Sequence, residues 1–574
     1  MIAQPLQSSP PAADQPTAPY ALHEPQIPLR IARLAGSPQD FKGCVWLVQD
    51  VQTKLLWQTL ARTLATDFRL FPIIPVRTPQ DAAEYSRALG PEQPCAIVLT
   101  LDFYEHVVKG GNRHLSDKDL AATVADLEHR YGFSVWRDMV LPDRHFGRGF
   151  TTGARGFPRS HASTGTDWQL MLEACLVSWR YWTALERRFP PDLVLCYASG
   201  AGIAGQPYAR IAAARDIPFR NISYTRFQDR FYWADAADAF SDRFAEHYRA
   251  TQAPCEADIA EIGGHVGPQV LTTGDHITKL AASQTWPVIA LDCAMQIARR
   301  VYGLWRGYTK ATSGYLLGST IASIVRKRRH TDHLNRITER NLESLRGRKI
   351  IYLALQTEPE TTTYLYSSHS SDQLRLVREC ALTLPADAAL VVKEHPWQVG
   401  HRDIAFYDEI TRIPNVVFIN PGYPSIDLVR RAAAVCTTSG SVAYQAAALG
   451  IPAFHCQERS HLDVLPHAVR LLHDADFARL RDLIRTNDAE IASHRRRDGA
   501  RFYLAATSFG FATGVHGLLK RKVAYAPAEL DAIVTDLDAS LPRGLNGLST
   551  TTATQSTAAP TDHICGCCLV LSTS

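Results

Sequence analysis

A serine-rich turn between an apolar run and a helix-like run is the strongest local signal for chemistry in this sequence. Thr438-Ser439-Gly440-Ser441 follows the apolar run that begins at Ala434, and a helical pattern starts at once. Such a turn offers backbone N–H groups and hydroxyls at the positive end of a helix dipole, which suits a phosphate or diphosphate. The turn lacks both the P-loop and the G-x-G-x-x-G spacing. An ordinary capped helix that ends at Gly450 is the alternative interpretation.

Two further polar groups each follow a strand-like apolar run. Lys393-Glu394-His395-Pro396 comes after the run that starts at Ala389, and Gln356-Thr-Glu358 comes after the run that starts at Lys349. A histidine at a strand end can donate a hydrogen bond to a leaving phosphate, and a carboxylate can take the proton of an acceptor hydroxyl. A structural histidine and a capping glutamate are the simpler interpretations of the same residues.

Charged residues lie beside aromatic residues at two places in the first half of the chain. Asp143 and Arg144 follow Trp136, and Arg226 and Arg230 flank a phenylalanine. Arginine forks match the geometry of carboxylates and phosphates, so these side chains could bind an acceptor or a carboxylate of the donor. Surface ion pairs are the alternative.

Strand-like and helix-like runs alternate in two stretches of the chain, and these elements must position the polar residues. The alternation is the βαβ pattern of a mostly parallel sheet. It predicts an α/β protein with two Rossmann-like domains that face a cleft, since ligands of open α/β sheets bind outside the carboxyl ends of the strands. The predicted units are a disordered segment (1–40), an N-terminal Rossmann-like domain (41–285), a helical basic connector (286–348), a C-terminal Rossmann-like domain (349–510), a helical segment (511–545) and a disordered tail (546–574).

Length and composition agree with this organisation. The 574 residues exceed what one core usually organises, and 46% hydrophobic with 21% charged residues is an ordinary globular balance. A net charge of +4 argues against a general nucleic-acid binder. The longest uncharged stretch in the connector has fifteen residues (311–325), short of the about 20 apolar residues that span a bilayer. No secretory signal is recognisable, and we expect a cytoplasmic protein.

The chain ends in a Ser/Thr-rich tail with a small cysteine cluster. His563, Cys565, Cys567 and Cys568 could bind zinc, but a closed site needs four ligands in a folded context. We therefore expect a disordered tail and no metal site.

The connector contains a basic segment from Arg299 to Arg340. It has ten Lys and Arg residues against Asp332 and Glu339, with apolar residues interleaved. Such a segment can lie on an anionic membrane surface, here the inner face of the cytoplasmic membrane. A solvated helical connector between the two domains is the alternative.

The order of the motifs resembles the capsule polysaccharide biosynthesis family, which includes the Kdo (3-deoxy-manno-octulosonic acid) transferases. The similar elements are Gln356-Thr-Glu358, Lys393-Glu394-His395-Pro396, Ser439-Gly440-Ser441 and Gly450-Ile451-Pro452, with Trp136, Asp143-Arg144 and Arg226–Arg230 in the first half. The resemblance implies the two-Rossmann GT-B fold, with an acceptor domain at 41–285 and a nucleotide-sugar donor domain at 349–510. It also implies a metal-independent glycosyltransferase without a resident cofactor.

The resemblance further implies roles for single residues. Glu358 and His395 would be catalytic, and His395 with Pro396 would hold the phosphate of a CMP-linked donor. The acceptor would be a glycolipid, a lipid-linked sugar or a polysaccharide. The residues implied to bind the nucleotide or donor are Gln356, Lys393, Pro396, Ser439, Gly440, Ser441 and Gln445.

One residue departs from the family pattern. The family usually has a glutamate at the position of Gln445, and a glutamine can bind a ribose hydroxyl but carries no charge. Two alternatives to the sugar transferase therefore stay open. One is a CDP-alditol phosphotransferase of the teichoic-acid type, and the other is a non-catalytic scaffold subunit with the same fold.

Overall fold

The computed structural model describes most of the chain between residues 27 and 548. The described ranges are 27–48, 53–100, 116–143, 168–197, 202–235, 240–267, 286–305, 317–358, 360–367, 369–370, 372–486, 488–514, 517–518 and 521–548. The terminal cysteine cluster and Arg144 lie outside these ranges.

The first half of the chain forms most of an eight-stranded sheet with the order β1-β4-β3-β2-β5-β6-β7-β14. The five central strands, β2 to β6, are parallel, whereas β1, β7 and β14 run antiparallel to their neighbours. The central strands read as continuous buried apolar runs because helices cover both faces of the sheet. The strands are Arg30–Ala35 (β1), Gly43–Val48 (β2), Leu70–Val76 (β3), Cys95–Leu99 (β4), Leu193–Tyr197 (β5), Phe219–Tyr224 (β6), Arg230–Ala234 (β7) and Phe511–Ala512 (β14).

The second half forms a six-stranded, entirely parallel sheet with the order β10-β9-β8-β11-β12-β13. Numbered within the sheet, this is the 3-2-1-4-5-6 order of dinucleotide-binding folds, and its topological switch point lies between β8 and β11. The strands are Lys349–Ala354 (β8), Ala388–Lys393 (β9), Val416–Ile419 (β10), Ala434–Thr437 (β11), Ala453–His455 (β12) and Ala468–Arg470 (β13).

Helices connect the strands and cover the faces of both sheets. In the first half they are Lys54–Thr66 (α1), Pro79–Leu89 (α2), Asp117–Tyr131 (α3), Trp168–Arg188 (α4), Gly202–Ala214 (α5), Arg243–Ala250 (α6) and Glu256–His265 (α7). In the connector they are Trp286–Trp305 (α8) and Leu317–Ile337 (α9). In the rest of the chain they are Thr361–Tyr364 (α10), Gln373–Thr383 (α11), Ile404–Thr411 (α12), Ser425–Arg431 (α13), Ser441–Ala448 (α14), Asp474–Arg485 (α15), Ala489–Ser508 (α16) and Pro527–Ser540 (α17).

The sequence-based fold class is confirmed: two Rossmann-like α/β units make the GT-B-like arrangement. One predicted boundary is wrong at the N-terminus. Residues 30–40 were expected within a disordered segment, but β1 (Arg30–Ala35) pairs with β4 along its length. The Arg33 guanidinium also donates hydrogen bonds to three backbone carbonyls near Gly90. β1 is short and mostly exposed at the edge of the sheet, so it lacks the buried apolar run that identified the central strands.

The C-terminal segment, which was predicted to be helical at 511–545, contains α17 and also the short strand β14. β14 adds to the edge of the first sheet beside β7, and α17 packs on the same sheet. Ile533 and Leu537 of α17 lie in one core with Leu60 of α1 and Trp233 of β7. The chain therefore leaves the first unit, builds the second and returns to complete the first.

Two features of the described residues limit other classes of structure. None of their helices combines the length and the apolar character that crossing a bilayer requires. Within the same ranges no three Asp, Glu, His or Cys side chains come together as a metal site would need.

Candidate functional site

The switch point of the second sheet brings together the residues that follow β8 and β11. The Gln356 side-chain amide donates a hydrogen bond to Thr437 Oγ1 over 3.0 Å, and the Gly440 backbone N–H donates to the same oxygen over 3.2 Å. A Cβ at residue 440 would lie 2.5 Å from Gln356 Nε2. The φ of Gly440 is −74°, which any residue can adopt, so a larger residue would be opposed by the Gln356 and Thr437 side chains and not by the backbone conformation. The structure thus joins two of the motifs that the sequence singled out.

The turn that follows β11 leads directly into α14. Gly440 is the N-cap of this helix and supplies no side-chain cap, and Ser441 is the first helical residue. Thr438 Oγ1 is buried and has no hydrogen-bond partner among the described residues. The switch point therefore contains the backbone N–H groups at the start of α14, the positive end of its dipole and the buried Thr438 hydroxyl. Such groups can bind an anion.

His395 follows β9, the neighbour of β8 in the sheet. It is half-buried and precedes a short 3₁₀ turn that begins with Pro396. Its Nδ1 accepts a hydrogen bond from the Trp397 backbone N–H over 3.2 Å. In the neutral ring this bond places the proton on Nε2, which makes Nε2 the hydrogen-bond donor of the ring.

The sequence showed no sign of a group of buried charged residues at the carboxyl ends of β8 and β9. The fully buried Arg402 guanidinium forms ion pairs with Glu358 and with Glu394, the second over 2.9 Å. It also donates to the Gln356 backbone carbonyl over 2.8 Å. Removal from water opposes the charge on Arg402, but the two carboxylates raise its pKa. We call Arg402, Glu358 and Glu394 the Arg402 cluster.

The Arg402 cluster changes the interpretation of Glu358. Its carboxylate was expected to face the cleft as a base, whereas the structure places it 1% exposed and paired with arginine. Nothing in the spacing signals Arg402, since it lies in a loop 44 positions after Glu358. The arginine ties the ends of β8 and β9 together, and this fixes Gln356 beside Thr437.

Two other predicted donor residues are held by neighbouring elements. The buried Lys393 ammonium donates to Ser425 Oγ at the start of α13 over 2.7 Å. Burial lowers the pKa of Lys393 to about 8, although Glu394 opposes the shift. The Gln445 side chain donates to the Gly267 carbonyl over 3.1 Å and is 5% exposed. Gln445 thus contacts the end of the first unit.

A pocket between the two units contains Arg226, which the sequence also singled out. Arg226 follows β6 with a φ of +73°, a conformation that non-glycine residues rarely adopt. Its guanidinium donates to the Tyr224 hydroxyl, and it lies 4.3 Å from the Tyr224 ring and 5.7 Å from the Tyr444 ring of α14. The remaining lining residues are Ser223, Tyr232, Tyr366, Gln457, Arg459, Ser460 and His461. We call this the Arg226 pocket.

The Arg226 pocket has an unpartnered polar atom. Gln457 is 4% exposed, and its Oε1 has no hydrogen-bond partner among the described residues. His461 stacks on Phe244 with 4.2 Å between the ring centres. Its Nε2 accepts from the Ser241 backbone N–H over 3.2 Å. A positive group, hydroxyls and an unmet acceptor therefore line a gap between the units.

The other residues predicted in the first half lie elsewhere. Arg230, at the start of β7, donates to the Ser508 carbonyl at the end of α16 over 2.8 Å. Asp143 is buried, and Arg144 lies outside the described residues. Arg137, next to Trp136, forms an ion pair across the units with Glu458 over 3.3 Å. Of the two predicted arginines that the structure describes, Arg226 lines the pocket and Arg230 does not.

Comparison with known proteins gives one family match. A sequence model of the family described as "Capsule polysaccharide biosynthesis protein" matches residues 295–454, which include α9, β8 to β11 and α14. A search of curated proteins gave no significant match.

Solved structures match at low identity. The UDP-GlcNAc 2-epimerase of Neisseria meningitidis bound to UDP-GlcNAc is 10% identical, with a TM-score of 0.26 over 81% of this chain and 97% of that chain. KpsC of Thermosulfurimonas dismutans, a beta Kdo 2,7 transferase, is 13% identical, with a TM-score of 0.27 over 56% of this chain and 80% of that chain. The wall teichoic acid polymerase TagF is 15% identical, with a TM-score of 0.20 over 32% and 45% of the two chains.

The family match covers the Gln356, His395 and Ser439 motifs in one continuous segment. It confirms the resemblance that their order predicted. Residues 295–454 of this chain are therefore similar to the capsule polysaccharide biosynthesis family.

Proposed function

We propose that this protein is a glycosyltransferase of capsule polysaccharide biosynthesis. It binds a nucleotide-linked sugar at the switch point of the second sheet and transfers the sugar to a glycolipid, a lipid-linked sugar or a polysaccharide. The observation that carries the proposal is a pair of hydrogen bonds: the Gln356 side chain and the Gly440 backbone N–H both donate to Thr437 Oγ1, just before α14. These residues lie inside the segment that matches the family.

The proposed roles follow from the contacts of each residue. The Ser439–Ser441 turn and the α14 dipole stabilise the donor phosphates, and His395 donates its Nε2 proton to the phosphate oxygen that leaves. Glu358 holds Arg402 and so positions Gln356, which makes it a positioning residue in our assignment. Pro396 fixes the backbone after His395, and Lys393 supports the same loop through Ser425.

Arg226 supports a more specific proposal for the donor. The fork of its guanidinium, which lies beside tyrosine rings near α14, matches the geometry of a carboxylate on the donor sugar. A CMP-linked ulosonic acid such as CMP-Kdo has this chemistry. The donor is therefore proposed to place its nucleotide on the second unit and its carboxylate towards Arg226 of the first.

A binding screen tests the donor assignment. We expect CMP to raise the melting temperature of the purified protein, with smaller shifts for CDP, UDP, UMP and GDP, because a ligand that binds only the native state stabilises it. A response to UDP alone would overturn the CMP assignment. Turnover of CDP-glycerol with release of CMP would instead identify an alditol phosphotransferase. Nucleotide binding without any turnover would identify a scaffold subunit.

Replacement of His395 tests the catalytic assignment. We expect His395→Ala to lower kcat by at least about 10²-fold while the melting temperature stays near that of the parent protein, because a donor to the leaving phosphate is lost. His494→Ala is the matched control, since it removes an exposed imidazole from the distant surface of α16. Near-normal turnover by His395→Ala would overturn the assignment.

A further inference from the structure

Helix α8 has its apolar side turned outward. Within the described residues, fourteen large hydrophobic side chains are exposed, and seven of them belong to this one helix. At about 3.6 residues per turn they fall on one half of the helix circumference. They are Trp286, Leu291, Met295, Ile297, Val301, Tyr302 and Trp305.

The polar side chains of α8 lie on the opposite, inward side. Asp292, Gln296 and Arg300 are half-buried, and α8 packs on α9. Burial lowers the pKa of Lys327 of α9, and the nearby Asp292 opposes that shift. A surface helix normally buries its apolar stripe and exposes its polar side, so α8 is oriented for an apolar environment outside the protein.

The composition of the outward face identifies that environment. Aromatic residues stand at both ends of the helix: Trp286 at the start, and Tyr302 with Trp305 at the end. Trp and Tyr prefer the boundary between lipid headgroups and acyl chains. The exposed Arg299 borders the apolar face, and the exposed Arg329 lies on the neighbouring α9. From this pattern we propose that α8 lies flat on an anionic bilayer, with its apolar face among the acyl chains and its arginines at the headgroups.

Charge favours the bilayer over a second copy of the chain. A two-fold interface would place the same face on both partners, and the arginines that border it would then approach like charges. An anionic headgroup layer complements these arginines instead, because it attracts basic side chains near its surface. The apolar area and the basic border therefore point to the same occupant.

The proposed membrane face is connected to the candidate site. Gly400, with a φ of +90°, packs so tightly on α9 that an added Cβ would lie 2.8 Å from Lys327 Cα. The same loop begins at His395 and ends at Arg402. The loop that contains His395 therefore contacts α9, the helix on which α8 packs.

Vesicle binding by the full chain tests this proposal. We expect the protein to sediment with vesicles of phosphatidylcholine and phosphatidylglycerol but not with phosphatidylcholine alone, and added salt should weaken the binding. Val301→Glu places a charge in the apolar face, and we expect it to lower the vesicle-bound fraction at least about tenfold. Leu382→Glu is the matched control: Leu382 is also an exposed hydrophobic residue, but it lies on α11.

The size of the particle in solution separates the rival occupants. A monomer that binds anionic vesicles and loses binding through Val301→Glu, but not through Leu382→Glu, supports the proposal. A dimer that dissociates in Val301→Glu would assign the face to a second copy and overturn it. Equal vesicle binding by the parent protein and by Val301→Glu would overturn it as well. Circular dichroism and the melting temperature confirm that both variants fold.

Discussion

Two arginines, Arg402 and Arg226, occupy contrasting surroundings on either side of the candidate site. Arg402 is buried inside one unit, and two carboxylates neutralise its charge. Arg226 lies between the units, where its guanidinium donates to the Tyr224 hydroxyl and lies near the rings of Tyr224 and Tyr444. A neutralised arginine holds elements together, whereas an arginine among tyrosines can attract an anion. In our proposal, Arg402 belongs to the part that builds the site, and Arg226 belongs to the part that contacts the donor.

Removal of Arg402 should have the largest effect on stability. Arg402→Met leaves Glu358 and Glu394 buried without their cation, and we expect it to lower the free energy of unfolding by about 3–5 kcal/mol. Arg378→Met breaks the exposed pair between Arg378 and Glu409, and we expect a loss of about 1 kcal/mol or less. Urea denaturation measures both. If the two variants were equally stable, the structural role of Arg402 would be wrong.

The Arg226 pocket should make folding sensitive to acid through His461. Burial, helped by Arg226 and Arg459, lowers the pKa of His461 from 6.5 to about 3. Between these values the unfolded chain binds a proton that the folded chain does not. Stability should therefore fall as the pH falls from 6.5 towards 3, by about 1.4 kcal/mol per pH unit from this residue.

A variant without the imidazole isolates this contribution. His461→Gln keeps an acceptor for the Ser241 N–H but cannot take up a proton in this range. We expect urea denaturation at pH 4.5 and pH 7 to show a smaller difference for His461→Gln than for the parent protein. An unchanged difference would show that His461 does not remain neutral in the fold.

The smallest expected effect is a change in KM that distinguishes Arg226 from Arg230, two arginines that the sequence predicted equally as ligand-binding residues. Arg226→Gln should raise KM for an anionic donor about tenfold with little change in kcat, and Arg226→Lys should recover part of the loss. Arg230→Gln should leave KM unchanged, because Arg230 binds the Ser508 carbonyl on α16. Steady-state kinetics with CMP-Kdo, or with the donor found by the screen, would contradict the comparison if both glutamine variants behaved alike.

The sequence predicted the frame of the site better than its interior. The buried runs around Ile351, Val391 and Val435 identified the strands, and the polar residues after them identified the carboxyl edge, because both signals are local. The Arg402 cluster joins Glu358 of the loop after β8 to Glu394 and Arg402 of the loop after β9, and no local pattern reports such a contact. For the same reason, the sequence predicted that the Glu358 carboxylate faces the cleft, whereas it is buried and paired with Arg402.

The connector illustrates a different limit. Its basic residues were visible in the sequence, but the direction of the apolar side of α8 was not, because a helical pattern does not state which side meets the protein. The inward positions of Asp292 and Gln296 supply that direction. Likewise, β1 pairs with β4 because β4 is the outermost parallel strand on that side of the folded sheet, and the sequence does not state which strand is outermost.

The return of the chain from the second unit to the first has a consequence for biosynthesis. β14 and α17 complete the first sheet, yet a ribosome makes them after the whole second sheet has emerged. Until then the β7 edge lacks its neighbour, and the apolar surface that receives Ile533 and Leu537 is uncovered. The first unit is therefore synthesised first but completes its folding last. Until β14 is synthesised, the unpaired β7 edge is exposed to other nascent chains.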